Sequence, residues 1–375
     1  MSRRSKIKIG FDLSPLNDEG TFGVCRYAIN LLQGLAKANN LDICLLYPWS
    51  LKIGQEEMSK LAVQHVQLQL RLLGTRWWEQ LFLPILAARA ACDSVHSLAN
   101  VAPAMSVRPV ILTLHDTITY AGGANVTPAV MNYLRRYGTR GVRNAAAIIT
   151  VSEHSRREIV DFFHIEDSKV HVVPNGVSQA FFDVAEDHSS SEKPPAILAC
   201  GSLAPNKNLR VTLLAFAQVL HRFPDAKLML FSIAPNTEGL IEAMASKAGI
   251  LAPSLSFVHT PDDLGMSQVF ADASLLLFPS LSEGFGLPIA EAFASGLPVV
   301  TSNVGALSEV SGDAALLIDP NDPTALAGAA LGILENNDLR NGLRKLGLLR
   351  AGLYTWDRAA AETAEVYRRL TRKPA

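Results

Sequence analysis

The sequence predicts an α/β chain of two doubly wound, parallel-sheet domains of similar size. Three observations lead there. A length of 375 residues suggests two domains, at roughly 100–200 residues each. Short β-rich runs alternate with helical patterns along nearly the whole chain, the rhythm of strand–helix–strand units. That rhythm breaks at a polar, Ser- and Pro-rich stretch, 183–195, and then restarts. The expected division is therefore a first domain at 1–182, a linker at 183–195 and a second domain at 196–355. A last helix in 356–375 is expected to cross back to the first domain. A composition of 49% hydrophobic and 18% charged residues can fill two cores, and argues against disorder, collagen or coiled coil.

Taken in order, the apolar run Ile7–Phe11 reads as a buried first strand, Tyr27–Ala38 as a helix and Leu41–Tyr47 as a strand. A helix around Trp77–Ala91, a strand at Val110–Leu114 and a long helix from Pro128 to Asn144 follow. Ala147–Val151 is the next strand, and Ser152 caps a helix carrying Arg156, Arg157 and Ile159. Lys169–Val173 closes the half, stopped by the turn Pro174-Asn175-Gly176. In the second half, strands are expected at Ala196–Cys200, Lys227–Phe231, Ser256–His259, Ser274–Phe278 and Pro298–Thr301. Helices are expected at Leu209–Arg222, Gly239–Ala248, Leu264–Ala271, Pro288–Ser295 and Trp356–Leu370. Such sheets bind ligands at the carboxyl ends of their strands, here in a crevice between the domains.

Charge and cysteine usage narrow the function. Lys and Arg number 34 and Asp and Glu 35, so a globally basic nucleic-acid binder is disfavoured. Cys25, Cys44, Cys92 and Cys200 form no C-x-x-C, which argues against a zinc ribbon or disulfide framework and fits a reduced, cytosolic protein. No stretch reaches the ~20 apolar residues that span a bilayer.

The segment richest in chemistry is Phe278-Pro279-Ser280-Leu281-Ser282-Glu283-Gly284-Phe285-Gly286-Leu287-Pro288-Ile289-Ala290-Glu291. It follows an apolar strand and opens a helix, where backbone N–H groups lack partners and the dipole end is positive. Its glycines let the backbone approach a phosphate closely, and Pro288 suits the first helical position. Glu291, placed in the first turn, can accept two hydrogen bonds from a diol such as a ribose. Glu283 can hold hydroxyls of a second ring. Together they point to a sugar nucleotide, although a generic strand–helix turn with two solvated glutamates accounts for the same letters.

The pattern P-S-x-x-E-G-F-G-L-P-x-x-E-A resembles the signature of family 4 retaining glycosyltransferases, which have the GT-B fold of two Rossmann-like domains facing a central cleft. Other segments resemble the same family in the same order. They are Gly23-Val24-Cys25-Arg26-Tyr27, His115-Asp116, Val151-Ser152-Glu153-His154-Ser155, Pro174-Asn175-Gly176-Val177, Gly201 through Asn208, Gly305 through Val310, and Leu317-Ile318-Asp319-Pro320. The resemblance implies a donor site made of Gly23, Lys207, Glu283, Gly284, Phe285, Gly286, Leu287 and Glu291. Lys207 would neutralise the leaving diphosphate. The family often pairs this lysine with an arginine, but Ser202 and Asn206 stand at the plausible arginine positions here. His115, Asp116 and Glu283 would be the catalytic residues, His115 lying near the transferring sugar in the mannosyltransferase-like branch. His115 alone also reads as a satisfied core histidine.

The resemblance also implies the reaction. A hexose, with GDP-mannose favoured, would pass from a nucleotide-sugar donor to a saccharide or lipid-linked oligosaccharide acceptor, as in bacterial-type glycan synthesis. UDP- or dTDP-sugar donors, a sugar-nucleotide epimerase or hydrolase on the same fold, and a non-catalytic sugar-nucleotide-binding subunit are the alternatives. No D-x-D occurs in the chain, which agrees with a metal-independent enzyme without a resident cofactor.

Two stretches in the first half mix arginine with aromatic residues: Arg71-Leu72-Leu73-Gly74-Thr75-Arg76-Trp77-Trp78, and Tyr133 to Arg143 with Arg135, Arg136, Tyr137 and Arg140. Residues 71–160 hold ten Lys and Arg against five Asp and Glu, a local net of +5 that leaves −6 for the remainder. Such stretches suit an anionic membrane surface and a peripheral place on the inner face of the cytoplasmic membrane. A solvated helix face with tryptophan in the core is the bland reading. Nucleic acid is disfavoured, because no stacking platform or base-reading motif appears.

Overall fold

A computed structural model of the chain describes residues 6–17, 22–38, 40–48, 61, 63–67, 75–122, 126–185, 194–259 and 262–371. It divides into two compact units. The first is Met1–Gly176 with Trp356–Ala375, and the second is Val177–Thr355. The chain thus changes unit at Gly176–Val177, before the expected linker at 183–195, of which 186–193 lie outside the described residues.

In the first unit, seven parallel strands stand in the order β3-β2-β1-β4-β5-β6-β7. They are β1 (Ile7–Asp12), β2 (Leu41–Tyr47), β3 (Gln64–Gln67), β4 (Ser94–Ser97), β5 (Val110–Thr113), β6 (Ala147–Thr150) and β7 (Val170–Val172). β4, β5 and β6 are buried along their whole length, as expected where helices cover both faces of a parallel sheet. β3 and β4 were not anticipated: Gln64-His65-Val66-Gln67 and Ser94-Val95-His96-Ser97 carry too few apolar residues to announce a buried strand. The strand order turns back at β1, which lies between β2 and β4, and Asp12 ends that strand.

The helix at Phe22–Ala36 packs against the C-terminal helix Trp356–Thr371. Gly34 permits the close approach, since a Cβ there would lie 2.8 Å from the Ala360 Cβ. The last helix therefore does return to the first unit. Its Tyr367 and Val366 join Phe11, Leu31, Leu35 and Ile149 in one core. Ser152 caps Glu153–Phe163, accepting the Ser155 N–H at 3.0 Å, as its position in the sequence suggested.

Two expected helices are more broken than their periodicity implied. The one before β4 runs Thr75–Trp77, then a π turn at Trp78–Phe82, then Leu83–Arg89. The one before β6 runs Pro128–Tyr133, a π turn at Leu134–Gly138, then Thr139–Asn144. Such single turns recur at functional sites.

The second unit holds six parallel strands in the order β10-β9-β8-β11-β12-β13. They are β8 (Ala196–Cys200), β9 (Lys227–Phe231), β10 (Leu255–Phe257), β11 (Leu275–Phe278), β12 (Val299–Ser302) and β13 (Leu316–Ile318). Leu209–Arg222 and Pro323–Glu335 cover one face, sharing a core with β8, β9 and β11. The order turns back between β8 and β11, so the loops leaving these neighbours define the crevice where doubly wound sheets bind ligands.

Candidate functional site

The loops leaving β8 and β11 meet through hydrogen bonds made by three successive residues. The Asn206 carbonyl accepts the Leu281 N–H at 2.7 Å, and its side-chain amide donates to the Ser282 carbonyl at 3.2 Å. Asn208, in the left-handed region at φ 55°, donates to the Pro279 and Pro320 carbonyls at 3.1 and 2.6 Å. Between these anchors Lys207 Nζ meets Glu283 Oε1 at 2.6 Å and lies 5.4 Å from the centre of the Phe278 ring. The two residues are 76 apart in sequence, yet the turn-back of strand order makes their loops neighbours. Ser202 and Asn206, standing where a second cation was expected, serve the loops themselves: the Ser202 hydroxyl accepts the Ala204 N–H at 3.3 Å.

The turn Gly284–Leu287 then enters the helix Leu287–Ala294. Gly286 sits at φ 92°, and a Cβ there would lie 2.7 Å from Leu307 Cδ2, so both conformation and space demand glycine. The Phe285 side chain turns inward against Tyr354, with ring centres 5.3 Å apart, so what it offers the front of the turn is backbone. Pro288 is the second helical residue rather than the first, and Glu291 falls in the second turn rather than the first. Glu291 is only 3% exposed: it belongs to the wall of the site, not to a solvated helix face. Ser280 is buried with a hydroxyl that has no partner among the described residues.

In the first unit His115 follows β5. Its backbone N–H is held by Asn100 Oδ1 at 3.0 Å, and its ring packs edge-on against Tyr27 with centres 4.7 Å apart. Burial lowers its pKa to about 4, against a hydrogen bond to the Leu98 backbone that pulls the other way. Nε2 is buried with no partner among the described residues, so the Leu98 bond uses Nδ1–H. The result is a neutral imidazole presenting the Nε2 lone pair. Asp116 accepts the Ile118 N–H at 2.9 Å, closing its own turn. Gly23 lies in the first turn of Phe22–Ala36, exposed, with nothing within 4 Å of a Cβ.

Sequence reasoning missed what stands behind His115. Tyr27 Oη lies 3.0 Å from Thr113 Oγ1, which is 2.8 Å from His96 Nε2, and His96 Nδ1 is 2.6 Å from Tyr367 Oη. All four side chains are buried, and burial lowers the His96 pKa to about 3. Trp356 packs on the Tyr27 ring at 5.9 Å. The C-terminal helix thus reaches the His115 contact twice. Only the return of that helix, which the sequence did suggest, hinted at it. Among the described residues no group of three His, Cys, Asp or Glu side chains is placed to hold a metal ion. No described helix is long and apolar enough to cross a membrane.

Comparison with known proteins places this geometry. Residues 23–181 match the family described as Glycosyltransferase Family 4, and residues 194–336 match Glycosyl transferases group 1. The O-antigen chain mannosyltransferase B of Escherichia coli is 25% identical over 97% of this chain and 100% of its own length. The MMP alpha-(1->4)-mannosyltransferase of Mycolicibacterium hassiacum is 32% identical over 69% of this chain and 65% of its own length. The crystal structure of Anabaena Alr3699/HepE in complex with UDP and glucose has the same fold, with a TM-score of 0.73 and 15% sequence identity, covering 97% of this chain and 100% of that one. With both halves matched in order and the GT-B type of fold shared, the chain belongs to the family 4 glycosyltransferases, and it is a hexosyltransferase.

Proposed function

We propose that the protein is a retaining mannosyltransferase, moving a hexose from GDP-mannose to a saccharide or lipid-linked saccharide acceptor in glycan synthesis. The observation that carries this reading is the Lys207–Glu283 pair, set beside the Gly284–Leu287 turn at the point where the strand order reverses. A cation, a run of backbone N–H groups and two carboxylates are the groups a nucleotide sugar needs. Lys207 and the turn take the diphosphate, Glu291 the ribose, and Glu283 the hydroxyls of the sugar.

In the transfer, the bond from the anomeric carbon to the diphosphate oxygen breaks, its electron pair leaving with the phosphate. The acceptor oxygen bonds to the same face of that carbon, and the acceptor proton passes to the departing phosphate. No separate general base is required. His115, whose pKa burial lowers to about 4, is neutral at physiological pH and adds no second positive charge to the reaction. Lys207 and the helix N-terminus supply the charge neutralisation, so the reaction proceeds without a divalent ion.

The relatives named as mannosyltransferases favour GDP-mannose. A UDP-sugar donor is the second reading, favoured by the complex of Alr3699/HepE with UDP and glucose. Purified protein incubated with GDP-mannose, UDP-glucose and dTDP-sugars, with chelator present, tests both. Donor-dependent thermal shift and release of one nucleoside diphosphate are expected. If no donor binds, the reading fails. Glu291→Ala should raise the donor Kd, whereas His115→Ala should lower kcat about a hundredfold with donor affinity kept. Equal losses of donor affinity in both would contradict these roles.

A further inference from the structure

The broken helix of residues 75–89 in the first unit is apolar on two sides. One side, Trp78, Leu83 and Ala87, is buried against Cys44, Leu46 and Val95. The other carries Trp77, Leu81 and Ile85, at four-residue spacing and 59%, 44% and 46% exposed. An amphipathic surface helix does not need that second apolar stripe. It continues onto a neighbouring loop. Gln80 donates to the Ala102 carbonyl and accepts the Ala104 N–H at 2.8 Å, which sets the loop bearing Met105 and Val107, both more than four-fifths exposed, beside the helix.

Basic residues flank the same face. The Arg76 guanidinium donates to the Ala129 carbonyl and lies 5.2 Å from the centre of the Tyr133 ring, whose centre in turn lies 5.5 Å from that of the Tyr137 ring. Arg136 stacks on Tyr137 at 5.6 Å, and Arg140 shares a shallow pocket of about 350 Å³ with Met105 and Gln80. Residues 75–144 contain seven arginines and only three acidic residues. Of those three, Glu79 is turned inward onto the Tyr133 hydroxyl, and its burial raises its pKa to about 7. Asp93 is engaged with the Lys8 N–H and Asp116 with Ile118.

We propose that this face of the first unit docks on an anionic lipid surface, with Trp77, Leu81 and Ile85 entering the headgroup region and Arg76, Arg136 and Arg140 meeting the lipid phosphates. The combination is what such a surface selects: an amphipathic aromatic, aliphatic side chains at helical spacing, and guanidinium groups beside them. Docking goes beyond the transferase reading and does not depend on it, because binding can be measured without a donor.

The test is sedimentation of the full chain with vesicles of phosphatidylcholine alone and with phosphatidylglycerol added. Binding is expected only with the anionic lipid and should weaken with salt. Leu81→Glu with Ile85→Glu, and separately Arg136→Glu with Arg140→Glu, should each lower the vesicle affinity about tenfold or more. Donor-dependent thermal shift should be unchanged in both. Brominated lipid should quench fluorescence in the wild type and less in Trp77→Phe, since Trp78 is buried. Equal binding to neutral vesicles, no binding to anionic ones, or full affinity in the glutamate variants would overturn the proposal. So would a concentration-dependent dimer that Leu81→Glu with Ile85→Glu dissociates, which would make the face an interface between copies of the chain.

Discussion

The two candidate sites, one in each unit, are built in different ways. In the second unit the working groups are charged, sit on two adjacent loops and come from short contiguous segments, 201–208 and 278–291. In the first unit the working group is one neutral imidazole, and its surroundings come from residues 27, 98, 100 and, through Tyr27, 356. A phosphate can be held by a local turn, because helix N-termini and glycine loops are local structures. A buried imidazole cannot: its tautomer, orientation and charge state each depend on a partner from a different element.

The largest effect should come from the charged half. Lys207→Ala leaves Glu283 beside the diphosphate without its cation, and kcat/KM should fall about 100- to 1000-fold. Released nucleoside diphosphate, measured over a range of donor concentrations, checks it. A smaller loss than that of His115→Ala would reverse the comparison.

The buried half predicts a different signature. Tyr367→Phe removes one hydroxyl and leaves His96 Nδ1 without a partner, which should cost about 1–3 kcal/mol of stability. Its expected kinetic mark is a lower kcat at unchanged donor KM, because the chain from Tyr367 ends on Tyr27 and so on His115. Loss of stability with untouched kcat would mean that the chain is scaffolding alone.

Acid stability sharpens the contrast further. His115 and His96 are lowered to about 4 and about 3 by burial. Their neutral forms are favoured in the folded state, so the unfolded chain binds more protons below its ordinary pKa of about 6.5. Stability is fully present above that value and is lost as pH falls through 6.5 toward 4. Glu79, raised to about 7, has the opposite slope: its contribution is present at low pH and shrinks as pH rises from about 4.5 to 7. Melting temperatures between pH 4 and 6.5 should therefore depend less on pH in His96→Gln and more in Glu79→Gln. The reverse order would refute the assignment. The smallest expected change is Ser152→Ala, which removes a helix cap worth about 1 kcal/mol, should lower Tm and should leave kinetics unaltered.

Legibility followed the range of the interactions. Ala196–Cys200, Leu209–Arg222 and Lys227–Phe231 stand where their patterns put them, because each is a single apolar run bounded by turn residues. Ser94–Ser97 was invisible: its two serines and His96 are buried in the sheet, and the partners that satisfy His96, Thr113 and Tyr367, lie elsewhere in the chain. Helix periodicity located residues 75–89 and 128–144 but not their π turns, since one extra residue per turn barely disturbs an apolar pattern. Glu291 was read as a first-turn residue because spacing gives the face of a helix more reliably than its starting point.

By itself, the sequence determined two α/β units, the return of the last helix, the Lys207 and Glu283 loops and the family. These rest on contiguous segments whose chemistry is complete within a few residues. Only the tertiary structure decided that Lys207 and Glu283 touch, that Gly286 needs to be glycine, and that burial keeps His115 neutral. It also decided that Trp77 faces out while Trp78 faces in. Each of these depends on which distant residues surround a side chain, and burial, not residue type, then sets its charge and its freedom.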